Sequence, residues 1–286
     1  MQHKFGLPGK LAGGLLLVAG TFAGHGARAQ TPSPMAEWQY SSGIQLQRLL
    51  EPSIPTWEVQ VGLSAQAAPI ADGLGRYSVM PGPAVDIRYK DEAFASTGEG
   101  IGVNVLSFSH FRVGVALTYD MGREMHDDGK ALNGLGNINP TPEAKIFASY
   151  TLAEAFPLTL RVNIRRQLGA SNGWVGDAGA YMPMPGSSAR FAWFAGPTVT
   201  FGDRRYMNEY FGVTNAQAAN TLYPRYRAQP GFKSVGFGVS ADWILTPHWM
   251  LNESSAVSEL LGSAAKSPIT QAKTQAVVSV SALYTF

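Results

Sequence analysis

Leu158, Leu160, Val162 and Ile164 alternate with Thr159, Arg161, Asn163 and Arg165. A strand that is apolar on one face and doubly cationic on the other tightly limits where it can lie. One side needs an oily surround and the other a place where full charges stay solvated or paired. The same rhythm recurs along the chain. Phe111, Val113, Val115, Leu117 and Tyr119 oppose Arg112, Gly114, Ala116 and Thr118. Val85, Ile87 and Tyr89 oppose Asp86 and Arg88, and Val235, Phe237, Val239, Ala241 and Trp243 oppose Gly236, Gly238, Ser240 and Asp242. The final segment, Gln275–Phe286, sets Ala276, Val278, Val280, Ala282, Tyr284 and Phe286 in one apolar row. A soluble sandwich also alternates, but its polar face has no reason to gather so many charges around one interior. The pattern predicts an all-β fold, a transmembrane antiparallel up-and-down barrel whose wall separates lipid from a polar lumen.

The first residues agree with export. Lys4 and Lys10 precede the apolar run Leu11–Phe22, and Ala27-Arg28-Ala29 has the small-x-small form of a cleavage site. Residues 1–29 therefore read as a signal peptide cut between Ala29 and Gln30. Cleavage removes Lys4, Lys10 and Arg28 from 22 basic residues and leaves 20 acidic ones, a mature charge of −1. That balance gives no basis for nucleic-acid binding. The chain has no cysteine, which excludes disulfides and thiolate metal sites. After residue 29 no apolar run is long enough for a spanning helix. The expected location is the outer membrane of a Gram-negative bacterium.

Residues 30–56, punctuated by Pro32, Pro34, Pro52 and Pro55, sustain no period and read as a periplasmic tail, with a short ordered piece at 44–50 as one option. The barrel begins at Trp57. Such barrels have short periplasmic turns and longer outer loops. That asymmetry, with a break at Thr97–Glu99, predicts strands near 57–66, 76–89, 92–97, 99–106, 110–121, 141–152, 157–168, 173–183, 189–202, 231–245, 248–259 and 273–286. Twelve is even, as a single-chain barrel of this kind requires, but 92–97 is short of the ~9–11 residues that a tilted span needs. In 248–259, Glu253 shares the face of Trp249 and Leu251. A carboxylate facing lipid is unfavourable, so Glu253 is protonated or paired, or this face meets another protein, or, the favoured option, a bulge shifts the register.

The outer loop 203–230 contains Tyr206-Met207, then Tyr210-Phe211-Gly212-Val213-Thr214, then Ala216-Gln217-Ala218. Thr214 is placed to cap a short helix over 215–220. This run resembles the MipA/OmpV family of outer-membrane proteins. Arg88-Tyr89 with Phe94-Ala95-Ser96, Leu132–Ile138, Leu260-Leu261-Gly262 and Ser267-Pro268-Ile269 match the family in the same order, so the resemblance spans roughly residues 57–286. It implies a twelve-stranded barrel without catalysis or cofactor. It also implies a scaffold role, with a membrane-bound lytic transglycosylase and a murein synthase as partners.

The candidate functional residues are the charges placed on the inner face: Glu58, Asp86, Arg88, Arg112, Glu143, Lys145, Arg161, Arg165, Asp177 and Asp242. Five acids and five bases favour a salt-bridge network that closes the lumen; a charged, solute-conducting pore is the alternative. His126-Asp127-Asp128 in the loop after the fifth strand invites comparison with a rim-site hydrolase or a divalent-cation site, and a solvated loop tip is the plainer account. Arg204 and Arg205 are placed to meet lipopolysaccharide phosphates or plain solvent. Aromatics near the predicted strand ends, Trp57, Tyr89, Trp249, Tyr284 and Phe286 among them, fit interfacial girdles. Tyr284 and Phe286 also resemble the terminal signal read by the barrel-assembly machinery.

Overall fold

The computed structural model describes residues 55–286 apart from 109, 154, 155 and 170. The signal peptide, its Ala29/Gln30 cleavage site and nearly all of the 30–56 tail lie outside the described residues. Twelve strands close into one antiparallel barrel, each paired with its chain neighbour and β1 with β12. They are β1 (Trp57–Pro69), β2 (Tyr77–Tyr89), β3 (Ala93–Ser96), β4 (Gly100–Ser107), β5 (Phe111–Asp120) and β6 (Thr141–Ala153). The second half holds β7 (Phe156–Gln167), β8 (Trp174–Pro183), β9 (Phe191–Gly202), β10 (Gly231–Ile244), β11 (Trp249–Leu260) and β12 (Thr274–Thr285). The seam pairs Gln60–Ala67 with Thr285–Val278, so the last strand is a full wall element.

The period-two pattern sets the two faces. Leu160, Val162 and Ile164 are exposed on the outside of β7, while Thr159, Arg161, Asn163 and Arg165 are buried inside it. The same outward exposure holds for Leu63, Val79, Ile101, Leu117, Ile146 and Phe237. In water so continuous an apolar surface would aggregate; around a barrel it is the band that meets hydrocarbon. No helix among the described residues is long and apolar enough to cross a membrane, so the crossing elements are the strands. Aromatic pairs mark the band's margins. At the short-turn end Trp57 packs on Tyr89 at 4.8 Å, and Tyr284 meets Trp249 at 5.3 Å and Phe286 at 5.0 Å. At the long-loop end Phe201 meets Phe232 edge-on at 6.1 Å.

Two strands depart from expectation. β3 has four residues, and its hairpin with β4 turns at Thr97–Glu99 well short of the long-loop rim. Thr97 N–H donates to Val85 O at 2.9 Å, and above that point β2 continues through Tyr77–Ala84 with no β3 residue opposite. In β11 the expected bulge is not there. Its registers with β10 and β12 run unbroken through Ala241↔Glu253 and Glu253↔Val280. Glu253 therefore lies on the outer face between Ala241 and Val280. Continuous cross-strand hydrogen bonding on both sides outweighs the unfavourable position of one carboxylate. That penalty is smaller than the ~2–4 kcal/mol of an Arg or Lys facing lipid at mid-membrane.

The outer loops form a lid. α1 (Arg204–Phe211) starts at Asp203, whose carboxylate accepts the Tyr206 N–H. α2 (Asn215–Asn220) is capped by Thr214 in a reciprocal box with Gln217. α3 (Gly262–Ala265) follows β11. Leu74, Ala131, Leu132, Leu135, Val213 and Ile269, drawn from four different loops, bury one another in a small core. A second core joins Tyr206, Met207 and Phe211 of α1 to Val175, Ala228, Leu260 and Ala264. Burying side chains the size of Leu132 or Phe211 contributes about 1.5–3 kcal/mol each, enough to hold loops as structure.

Candidate functional site: the charged lumen beneath the loop lid

The candidate site is the barrel interior. It gathers around a residue that the alternation pattern places in a turn. Because the β3–β4 hairpin stops within the wall, Glu99 at its tip sits inside the lumen and is 2% exposed. Arg88 Nη2 of β2 reaches its carboxylate at 2.6 Å and Arg161 Nη2 of β7 at 2.9 Å. Lys145 Nζ of β6 donates to the Glu99 carbonyl at 2.7 Å. Asp86 pairs with Arg88 at 3.0 Å. Phe94 and Phe147 add ring faces, with the Arg161 guanidinium 5.2 Å and the Lys145 ammonium 5.6 Å from the Phe147 centroid. Three cations thus converge on one short hairpin from strands on both sides of it. Paired and hydrogen-bonded charges of this kind tolerate burial; single ones do not.

A second group lies toward the lid. Arg165 Nη2 pairs with Asp177 at 2.6 Å and its Nε approaches Glu143 at 3.9 Å. Thr200 Oγ1 donates to Asp177 at 2.6 Å. Gln167 Nε2 and the Tyr210 hydroxyl both donate to Asp120, at 2.9 and 2.5 Å. Tyr210 belongs to α1, so this contact ties the lid to the wall. Arg123 Nη1 donates to the Tyr210 carbonyl at 3.2 Å. Burial raises the Tyr210 and Tyr206 hydroxyl pKa values, which keeps both phenols protonated and able to donate.

Of the ten inward charges expected from the sequence, the first group holds Asp86, Arg88, Lys145 and Arg161, and the second holds Glu143, Arg165 and Asp177. The other three have these partners. Arg112 pairs with Asp91 of the β2–β3 turn at 2.5 Å, at the short-turn end. Glu58 accepts from Gln60 at 3.1 Å. Asp242 accepts from Asn252 at 2.6 Å in β10–β11. Nearby the lumen is oily: Tyr181, Phe194 and Ala256 form one cluster and Ala84, Met250 and Leu283 another. Charged groups and apolar side chains thus share the interior face of the wall.

Sequence reasoning misses Glu99, Asp120 and Tyr210. For Glu99 a signal exists. A strand of about half the needed length cannot carry its turn to the rim, so the turn residue must stay inside. Asp120 ends a strand and Tyr210 sits on a helix; only their pairing across 90 residues reveals them. His126-Asp127-Asp128 forms a 3-10 turn over Met125–Asp128. Asp127 accepts the Glu124 N–H, and Asp128 accepts those of Lys130 and Ala131, so both carboxylates shape the loop. Arg204 and Arg205 are exposed on α1. At the short-turn end Tyr284 stacks on His248 at 5.5 Å, and the exposed Phe286 donates its N–H to Val59 O at 3.1 Å.

A family model described as MltA-interacting protein MipA matches residues 61–286. Among curated proteins none matches the chain. Similar solved structures include the CymD monoaromatic hydrocarbon channel, 10% identical over 88% of this chain and 93% of that one, with a TM-score of 0.42. The translocator domain of autotransporter NalP from Neisseria meningitidis is 13% identical over 91% and 100%, with a TM-score of 0.43. The NanC porin is 9% identical over 80% and 98%, with a TM-score of 0.37.

Proposed function

Because the chain belongs to the MltA-interacting protein MipA family, we propose that it is a non-enzymatic outer-membrane barrel that docks murein-remodelling proteins at its periplasmic rim. The partner class comes from the family's description, a lytic transglycosylase, with a murein synthase as a second guest. What supports scaffold over channel is the buried ion-pair cluster inside the barrel. Glu99, Arg88, Arg161 and Lys145 are each less than a tenth exposed and locked to one another, and loop cores cover the mouth above them. A solute path would require breaking buried ion pairs, at several kcal/mol each. The remaining working surfaces are the rims. The short-turn rim presents exposed apolar groups, Trp57, Phe108, Leu245 and Phe286, beside Lys90 and Arg190.

The test is a paired measurement on the full mature barrel. A crosslinking pull-down against a purified membrane-bound lytic transglycosylase should capture it, and planar-bilayer recording should show no steady conductance. Absence of capture would remove the scaffold reading. Ohmic conductance at neutral pH would replace it with the solute channel.

A further inference from the structure

The barrel wall has a window. At the level of Thr97, β2 and β5 are three strand spacings apart, roughly 14 Å, with β3 and β4 filling the space between them. Above it the β3–β4 hairpin has ended, while β2 runs on through Tyr77–Ala84, roughly 26 Å of strand, and β5 runs on to Asp120. β4 reaches β5 only as far as Ile101↔Leu117. Among the described residues no strand pairs with this stretch of β2 on its β3 side. The sill is the hairpin tip, where the Tyr119 hydroxyl donates to Thr97 O at 2.9 Å. The lintel is the loop after β5, where Arg76 Nη1 meets the Asp127 carbonyl at 3.4 Å.

An unpaired strand edge at membrane depth leaves backbone N–H groups without partners, which hydrocarbon punishes. The sequence removes two of them, beside the hairpin tip. Val85 bonds toward β3, accepting from Thr97 and donating to its Oγ1 at 3.3 Å. Backbone groups alternate sides along a strand, so Pro81 and Pro83 share that edge, and neither has an N–H to offer. The two prolines also disfavour a further strand there, because it would find no donor at either position. What the edge accepts is something apolar that asks for no hydrogen bonds. Outward along it stand Val79, 71% exposed, and across the window Ile101, 69% exposed.

Above the lintel lies a cavity of about 440 Å³ lined by Arg76, Asp128, Gly129, Lys130 and Gln271. The Asp128 carboxylate is turned onto the N–H groups of Lys130 and Ala131. Arg76 and Lys130 supply the cationic groups of this cavity. An apolar slot in the outer-leaflet half, topped by two cations, matches a lipid with an acyl chain and a phosphate. We infer that the window between β2 and β5 holds an acyl chain of an anionic outer-leaflet lipid, with its phosphate at Arg76 and Lys130.

The chain has no cysteine, so single-cysteine labelling is direct. Ser78, Met80 and Gly82 share the inward face of β2 with Asp86 and Arg88. An inward residue meets lipid only if the wall is open there. The full mature barrel would be refolded into vesicles of phosphatidylglycerol brominated on its acyl chains, with a bimane label at M80C. The controls are V79C, which faces lipid, and V277C, which faces inward on β12 opposite Ala256 of β11. M80C should be quenched to at least half the extent of V79C, and V277C should not be. Quenching of M80C no greater than that of V277C overturns the proposal. For the head group, M80C quenching should exceed that in brominated phosphatidylcholine about twofold, and Arg76→Ala with Lys130→Ala should erase the difference. Equal quenching by the two lipids in the unaltered rim would refute selection of an anionic head group by Arg76 and Lys130.

Discussion

Replacing Glu99 by alanine is the sharpest test of how the lumen is held. The carboxylate is 2% exposed and faces two guanidinium groups, at 2.6 Å from Arg88 and 2.9 Å from Arg161. Its removal takes from Arg161 (4% exposed) and Arg88 (8% exposed) the carboxylate that they share. Breaking a buried pair from one side costs about 3–5 kcal/mol, because the stranded charge has lost its solvent as well as its partner. With a urea slope of about 1–3 kcal/mol per molar, the unfolding midpoint of the barrel in vesicles should fall by about 1–5 M. Deleting the stranded cation as well should restore part of the loss. In the Glu99→Ala, Arg161→Met pair the combined cost should fall short of the summed single costs by about 1 kcal/mol or more. Tryptophan fluorescence through a urea titration reads all four species. A Glu99→Ala loss below about 1 kcal/mol, or strict additivity with Arg161→Met, would show that the cluster is solvated and that the lumen is not closed by it.

Other expectations can be checked with the same preparations. Tyr210→Phe removes a charge-assisted bond to Asp120 and should cost about 1.5–3 kcal/mol, seen as faster protease cutting within 203–230 while the barrel core stays intact. Glu253→Leu should raise the urea midpoint, by up to about 2 kcal/mol equivalent, if that face meets plain lipid; no gain would mean that a protein covers it. Burial raises the Glu209 pKa above its usual 4.5, so its ionised form is disfavoured when α1 is docked. The lid should therefore tighten as pH falls through that raised value, and Glu209→Gln should flatten this part of the protease-sensitivity profile. Gly62 in β1 lies against the Ala282 carbonyl of β12, so Gly62→Val should prevent seam closure and abolish the heat-modifiable gel band. Deleting Phe286 should lower the yield of assembled barrel in cells more than the urea midpoint of what does assemble.

The wall is legible because period two is a local property. Each strand carries its own record of which face meets lipid, and the observed ends fall close to those expected. Height is not legible. Thr97–Glu99 reads as a break, but sequence does not say at which level of the wall a break sits; only the shortness of 92–97 hints that it lies inside. The lid is hidden for another reason. Leu74, Leu132, Val213 and Ile269 follow no shared period, and their contacts join loops far apart in the chain. At Glu253 the alternation gives the right face, yet no bulge relieves it, because pairing with both neighbours fixes register more strongly than one polar side chain disturbs it.

The short β3–β4 hairpin has a kinetic consequence. In this barrel the hairpin that carries the inward Glu99 is part of the wall. Glu99 cannot swing aside without unzipping Ala93–Ser96 from β2 and Ile101–Val103 from β5. The plug should therefore have no opening rate of its own. Amides at Ala95 and Gly102 should exchange with deuterium as slowly as those of β7, through whole-barrel unfolding, whereas a hinged plug would exchange through frequent local excursions. Blockage and fold would then be lost in a single cooperative event.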